Sequence, residues 1–125
     1  MKRFFSLTGL ALVFMSFSFQ SDIESMLMDL KFGNVDQVAN RFYDYIDLKL
    51  PGEDGVNINR NQAKNLLKIF FNKNGIKGFE KESDRSDGST KMITGRLPNG
   101  ANGFNISIVL RQISGRNVIL AIRIN

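Results

Sequence analysis

The apolar residues in the first part of the chain recur at the spacing of amphipathic helices. Ser21 and Glu24 form a capping box, in which each side chain bonds the other residue's backbone, so a first helix is expected to begin there. Gly33 suits the left-handed position that ends a helix, and Asn34 can cap a second, short helix. The apolar positions of these two helices are Ile23, Met26, Leu27 and Leu30, then Val35, Val38, Ala39 and Phe42.

The period then shortens to two, which is typical of a strand with one face in water. Apolar and polar residues alternate from Tyr45 to Leu50, and a polar loop is expected over 51–57. Asn59 and Gln62 form a second capping pattern, which predicts a longer helix that ends near Asn74. Its predicted buried stripe is Ala63, Leu66, Leu67, Phe70 and Phe71.

The last third of the chain predicts strands joined by tight turns. Each of three turn pairs holds a glycine, which reaches positive φ at low cost, so hairpins are favoured over crossovers: Asp87-Gly88, Asn99-Gly100 and Ser114-Gly115. An antiparallel meander is expected, with strands near 79–83, 91–97, 104–111 and 118–124. One parity of the last two strands is entirely aliphatic and must be covered by the helices: Ile106, Ile108, Leu110, Val118, Leu120, Ile122 and Ile124.

The N-terminus has the order of features found in secretory signal peptides. Lys2 and Arg3 precede an apolar run over 4–15 that is short for a membrane span, and Ser16 and Ser18 supply small residues at the cleavage site. Residues 1–18 are therefore expected to be removed, leaving one domain of residues 19–125 in the periplasm or outside the cell. An apolar core helix or membrane anchor is the alternative interpretation; after cleavage no integral membrane segment is expected.

The composition removes several kinds of chemistry. The chain of 125 residues has neither Cys nor His, which excludes disulfides, thiol nucleophiles and histidine bases, and we expect no metal and no cofactor. Loss of residues 1–18 removes two of the 17 bases and none of the 12 acids, so the net charge falls from +5 to +3. The bases are spread along the chain, and no nucleic-acid partner is expected. Arg60, Lys64 and Lys68 share one helical face, interpreted as solvated.

The order of these elements resembles the cone-shaped α+β fold of the nuclear transport factor 2-like, or cystatin-like, superfamily. Within it the chain is similar to a family of small exported bacterial proteins of unknown function. This resemblance implies three N-terminal helices packed on a curved antiparallel sheet. Its motifs mostly encode caps, turns and core, so they supply no activity; they are Lys31–Asn34, Phe42–Gly52, Gln62–Asn74 and Ala121–Ile124.

The resemblance also implies a hollow in which related proteins bind small apolar molecules. Some of these proteins, similar to ketosteroid isomerase, use an interior carboxylate as a base. Asp44 and Asp47, beside Tyr43 and Tyr45, are the nearest candidates, but they match no catalytic motif that can be transferred. Strand alternation puts Asp47 on the face opposite the apolar residues, so exposure to water is the favoured interpretation.

Six residues are candidates for lining a ligand pocket, although aromatic residues at this spacing are usually core: Phe42, Tyr45, Phe70, Phe79, Arg96 and Phe104. Arg96 lies outside the cone if Ile93, Gly95 and Leu97 face the helices. If Met92 and Thr94 face them instead, Arg96 enters the cone, where it can hold an anionic group. The alternation alone leaves both arrangements open.

Three functions of different classes follow from this sequence. The leading one is a non-catalytic exported domain that binds a small apolar ligand or a partner protein. The alternatives are a cofactor-free lyase or isomerase with an interior carboxylate, and a structural interaction module with a filled core. A homodimer through the exposed sheet face is a further hypothesis. This face is expected to carry Asn105, Val109, Ile119 and Ala121.

The signal peptide is tested by the mass of the exported protein. The full chain expressed in a bacterium is expected to lose residues 1–18 on export and to begin at Phe19, which intact-mass spectrometry measures. Ser18→Phe is expected to block processing because the residue before the cut must be small, whereas Gln20→Phe is expected to be processed normally. Recovery of the exported protein with Met1 still present would show that this prediction is wrong.

Overall fold

The computed structural model describes residues 22–100 and 102–125. The predicted signal peptide and the capping residue Ser21 lie outside the described residues. Within them, no helix is long and apolar enough to cross a membrane. The elements are α1 (22–31), α2 (Val35–Ala39), β1 (Phe42–Leu50), β2 (Glu53–Asn59), α3 (Arg60–Asn74), β3 (Glu80–Asp87), β4 (Thr90–Asn99), β5 (Asn102–Ile113) and β6 (Arg116–Ile124).

The six strands form one curved sheet in the order β2-β1-β6-β5-β4-β3. The predicted meander from β3 to β6 is antiparallel throughout, and β1 with β2 is antiparallel as well. The pair that joins these two antiparallel parts, β1 and β6, is parallel. At the last turn both Ser114 and Gly115 have positive φ, as a two-residue hairpin with the strands' own twist requires.

The third helix follows its sequence pattern closely. The side-chain oxygen of Asn59 accepts a hydrogen bond from the backbone N–H of Gln62 at 2.8 Å, and Gly75 ends the helix at φ 58°. Its stripe packs onto the sheet, with Leu66 half-buried and the other four predicted positions buried. Gly33 likewise takes a positive φ after α1, whereas Asn34 makes no side-chain cap for α2.

Two boundaries in the first half differ from those predicted. Most of the expected loop over 51–57 is strand β2, because Gly52 at φ 84° lets the chain reverse directly after β1. The alternation in this edge strand is limited to Val56 and Ile58, which is too short to distinguish a strand from a polar loop. Phe42 begins β1 instead of closing the face of α2, since it pairs with Ile119 of β6, whose N–H donates to the Arg41 carbonyl at 2.6 Å.

A bulge in β6 changes which residues face the helices. Val109 pairs with Ala121 and Leu110 pairs with Ile119, so Leu120 is an extra residue in the ladder. One extra residue reverses the alternation, and Ile119 is therefore fully buried while Val118 and Leu120 are only half-buried. The prediction that Val118 and Leu120 point inward, and that Ile119 lies on the exposed face, was wrong.

The two edges of the sheet are polar or irregular. Every residue of β3 except Ser83 is exposed, and six of its eight residues are charged. At the other edge, two residues of β2 bulge opposite Asp47, and Asn57 takes φ 57° there. Exposed charge and bulges are the usual means of protecting an edge strand.

Gly95 lies on the inner face of β4, at a position where a side chain would not fit. A Cβ atom at this position would lie 2.7 Å from Cε1 of Phe79 and would also collide with the carbonyl oxygen of Glu80. The ring of Phe79 therefore occupies the space above Gly95 and packs against the core as a half-buried residue. This close approach is the reason for a glycine in mid-strand.

Gly95→Ala is expected to lower the free energy of unfolding by roughly 1–3 kcal/mol, because neither the strand nor the ring can move without loss of packing. Chemical denaturation measures the change. Gly78→Ala is the matched control: its Cβ would meet Pro98 at 3.4 Å, an ordinary contact, so the expected change is within about 0.5–1 kcal/mol. Equal effects of the two substitutions would contradict the prediction.

Candidate functional site

The concave face of the sheet becomes polar near the β3–β4 and β5–β6 turns. Residues directly opposite each other in neighbouring strands point to the same face, and Lys91 lies opposite the fully buried Leu110. Ser86 in turn lies opposite Lys91, and Asp84 lies opposite the buried Ile93. The inner face thus passes from an aliphatic centre to a charged and hydroxyl-bearing end.

This polar end forms one wall of a groove of about 330 Å³, which we call the mouth groove. The first turn of α1 forms the opposite wall through Ile23 and Glu24. Gln112 and the buried Asn117, which are paired across β5 and β6, close one end of the groove. The remaining lining residues are Lys81, Asp84, Ser86, Gly88, Ser89, Thr90, Lys91, Leu110 and Arg111.

Two lysines flank one carboxylate on the sheet wall. Nζ of Lys91 lies 3.5 Å from Oδ1 of Asp84, and Nζ of Lys81 lies 3.7 Å from Oδ2. The Lys91 and Asp84 side chains are each 31% exposed and that of Lys81 is 42% exposed, so all three reach water inside the groove. Both distances exceed those of a charge-assisted hydrogen bond, and the ammonium groups keep N–H donors for another acceptor.

Arg41 fastens α1 over the sheet. Its guanidinium contacts Asp22 at 3.2 Å and Asp29 at 3.3 Å, which are the two ends of α1, and it donates to the Gln37 carbonyl at 3.1 Å. The Arg41 side chain is only 16% exposed. Asp22 also accepts a hydrogen bond from Asn117 of β6 at 3.4 Å. One half-buried cation therefore positions the helix wall of the mouth groove.

The predicted aromatic pocket residues are mostly part of the core. Phe42 is buried, and Phe79 packs over Gly95. The Phe70 and Phe104 rings meet edge to face, with their centroids 5.1 Å apart. None of these four residues lines the mouth groove.

The two polar candidates lie elsewhere. Tyr45 is 57% exposed on β1. Because Ile93 and Leu97 face the helices, Arg96 lies outside the cone, where its Nη1 donates to Oδ1 of Asn105 at 3.2 Å. The six predicted residues therefore do not converge on one site.

The two acids considered as catalytic bases are tied to structure at the surface. Asp44 is 77% exposed and pairs with Arg60 at 3.2 Å. The Asp47 carboxylate is exposed and accepts the backbone N–H of Asn57 at 2.8 Å, which stabilises the positive-φ residue of the β2 bulge. Among the described acidic side chains none is buried, and no three of them are placed to hold a metal ion.

The sequence prediction missed the residues of the sheet wall. The predicted strand that corresponds to β3 ended at Ser83, and Asp84 and Ser86 were expected in the turn that follows. In the structure β3 continues to Asp87. A signal was present in the alternation of Asp84 and Ser86, which share one parity. It was obscured because a charged edge strand and a polar loop have the same composition.

Arg41→Met is expected to lower the free energy of unfolding by roughly 1–3 kcal/mol, because Asp22 and Asp29 both lose a half-buried partner. The loss is moderated because the Asp22 carboxylate is 42% exposed to water. Chemical denaturation measures it. Arg60→Met is the matched control because its pair with Asp44 is exposed; a change within about 0.5 kcal/mol is expected. A control that loses as much stability as Arg41→Met would show that burial of Arg41 is not what matters.

Comparison with known proteins identifies the family and supports the fold. A search of curated proteins found no match. A DUF4783 family protein from Bacteroides uniformis is 20% identical, with a TM-score of 0.74 over 82% of this chain and 94% of that chain. One from Bacteroides ovatus is 21% identical, with a TM-score of 0.72 over 78% and 88%.

A more distant structure has the same fold. An NTF2-like protein of unknown function from Cytophaga hutchinsonii is 10% identical, with a TM-score of 0.58 over 82% of this chain and 84% of that chain. The family model described as "Domain of unknown function (DUF4783)" matches residues 23–125. The chain therefore belongs to the DUF4783 family and has the α+β, nuclear transport factor 2-like fold that its sequence predicted.

Proposed function

We propose that this chain is an exported, non-catalytic domain that binds a small polar ligand in the mouth groove. The observation that carries the proposal is a groove of about 330 Å³ on the concave face, lined by charged, hydroxyl and amide side chains. This volume is at the small end of ligand sites in proteins. The groove also lies between a sheet and a helix that Arg41 holds in place, so its walls are preorganised. The N-terminal sequence supports export.

The polar lining favours a polar ligand over the apolar one that the fold resemblance implies. The central concave face is occupied by aliphatic side chains that contact one another and the helices. These residues include Ile46, Leu48, Ile93, Leu97, Ile106, Ile108, Ile119 and Ile122, each no more than 2% exposed. An apolar ligand there would have to displace well-packed core.

A lyase or isomerase function has less support. Such chemistry needs a carboxylate in a dry interior, where lost hydration adjusts it for proton transfer. The described Asp and Glu side chains all retain contact with water, and Asp44 and Asp47 have structural partners. Binding without reaction is therefore the function that the described residues support best.

Association with a protein partner or a second copy is a second candidate, favoured by the outer face of the sheet. Val109 and Ala121 are half-buried there, no element of the described residues covers them, and Met92 is exposed. Ile119, which was expected on this face, is buried in the core and cannot contribute. Analytical ultracentrifugation of the exported chain separates this candidate from ligand binding.

Native mass spectrometry of the exported protein, purified from its host without denaturation, is expected to show a small bound molecule that dissociates on activation. Ser86→Trp is expected to abolish its retention, because Ser86 faces into the groove and an indole would fill it. Arg85→Trp, one residue along on the opposite face, is the matched control and should retain the molecule. Retention by Ser86→Trp, or loss by both variants, would overturn the proposed site.

A further inference from the structure

The mouth groove has an uneven distribution of charge between its walls. The sheet wall carries Lys81 and Lys91 against the single carboxylate of Asp84. The helix wall carries Glu24 at its exposed rim. Arg111 lines the groove as well, but it alternates with the inward-facing Leu110, so its side chain starts from the outer face of β5.

The Asp84 carboxylate leaves the two lysines that flank it able to donate hydrogen bonds to a ligand. It is close enough to hold both ammonium groups at the groove, yet neither Nζ is within 3.2 Å of its oxygens. Among the described residues the lysine ammonium groups have no other ion-pair partner than Asp84. A ligand oxygen that reaches either ammonium group from the groove would meet a cation that a protein carboxylate has already positioned.

We infer that the mouth groove selects small anions, held by Lys81 and Lys91, over neutral molecules of the same shape. The inference rests on the proposed function and names its ligand class. A carboxylate or phosphate group supplies the acceptor oxygens that ammonium groups bind in short, charge-assisted hydrogen bonds. Ser86 and Gln112 of the same face supply neutral hydrogen-bonding groups for the rest of the ligand. Glu24, on the facing wall, opposes negative charge.

Three probes that share one ring test this inference: D-glucose, D-glucuronate and D-glucose 6-phosphate. Backbone amide shifts of the exported chain, followed by NMR during titration, give both the affinity and the place of binding. Both anions are expected to bind at least about tenfold tighter than glucose, with shifts at Ser86, Lys91 and Gln112. The stronger of the two anions identifies carboxylate or phosphate as the preferred group. Added salt is expected to weaken anion binding only.

Single substitutions assign the effect to this pair of lysines. Lys91→Met and Lys81→Met are each expected to weaken anion binding about tenfold and to weaken glucose binding much less, so the preference for anions over glucose falls. Glu24→Gln is expected to strengthen anion binding, because a repelling charge is lost. The control is Lys68→Met, which removes an equal charge from an exposed Asp36 pair outside the groove. Unchanged thermal unfolding of each variant confirms that it is folded.

The outcomes separate this inference from the proposed function. Equal binding of glucose and glucuronate at the groove amides would overturn the selectivity for anions and leave the groove as a ligand site. Equal weakening by Lys68→Met and Lys91→Met would show attraction by net charge, which also overturns it. If none of the three probes shifts the groove amides and the purified protein carries no small molecule, both the inference and the proposed function are wrong.

Discussion

The parallel pairing of β1 with β6 joins the two halves of this molecule. The antiparallel meander from β3 to β6 is local in sequence, since each strand follows its neighbour through a short turn. The helices and β1 come from the other end of the chain and are attached through Phe42, opposite Ile119, and through the Arg41 carbonyl. The same Arg41 holds α1 by its side chain. The contacts of Arg41 and Phe42 therefore hold the helices that cover the aliphatic face, and they also position the helix wall of the mouth groove.

Local signals made much of this fold predictable. The Asn59 cap and Gly75 at the end of α3 act within a few residues, and so do the glycines of the hairpins. Features that depend on a distant partner were not predictable in this way. The β6 bulge is defined by its register against β5. Residues 118–122 are all apolar, so the sequence there is compatible with a regular strand and with a bulged one. Strand β2 was missed because it is polar and lies at an edge.

The candidate site was less accessible from sequence than the fold. The aromatic residues predicted for the pocket include Phe42 and Phe70, which belong to the core. The alternation around Arg96 is compatible with two orientations, and only the burial of Ile93 and Leu97 shows that Arg96 lies outside. The mouth groove is assembled by cross-strand pairs such as Lys91 with Ser86, and the predicted end of β3 at Ser83 left Ser86 out of its strand. Its charged residues are of types that usually lie on protein surfaces. Only the structure shows that they share the concave face and line one groove.

The edges of the sheet restrict how copies of this protein can meet. Along β3, an approaching strand would bring its backbone against a row of hydrated charges, and along β2 it would encounter the Asn57 bulge that Asp47 stabilises. Neither border offers the straight, evenly spaced ladder on which fibrils elongate. Growth of the sheet from one molecule into the next is therefore blocked at both ends, and close association is confined to its broad surfaces. Charge along β3 and the bulge in β2 therefore limit misassembly of copies through added strands.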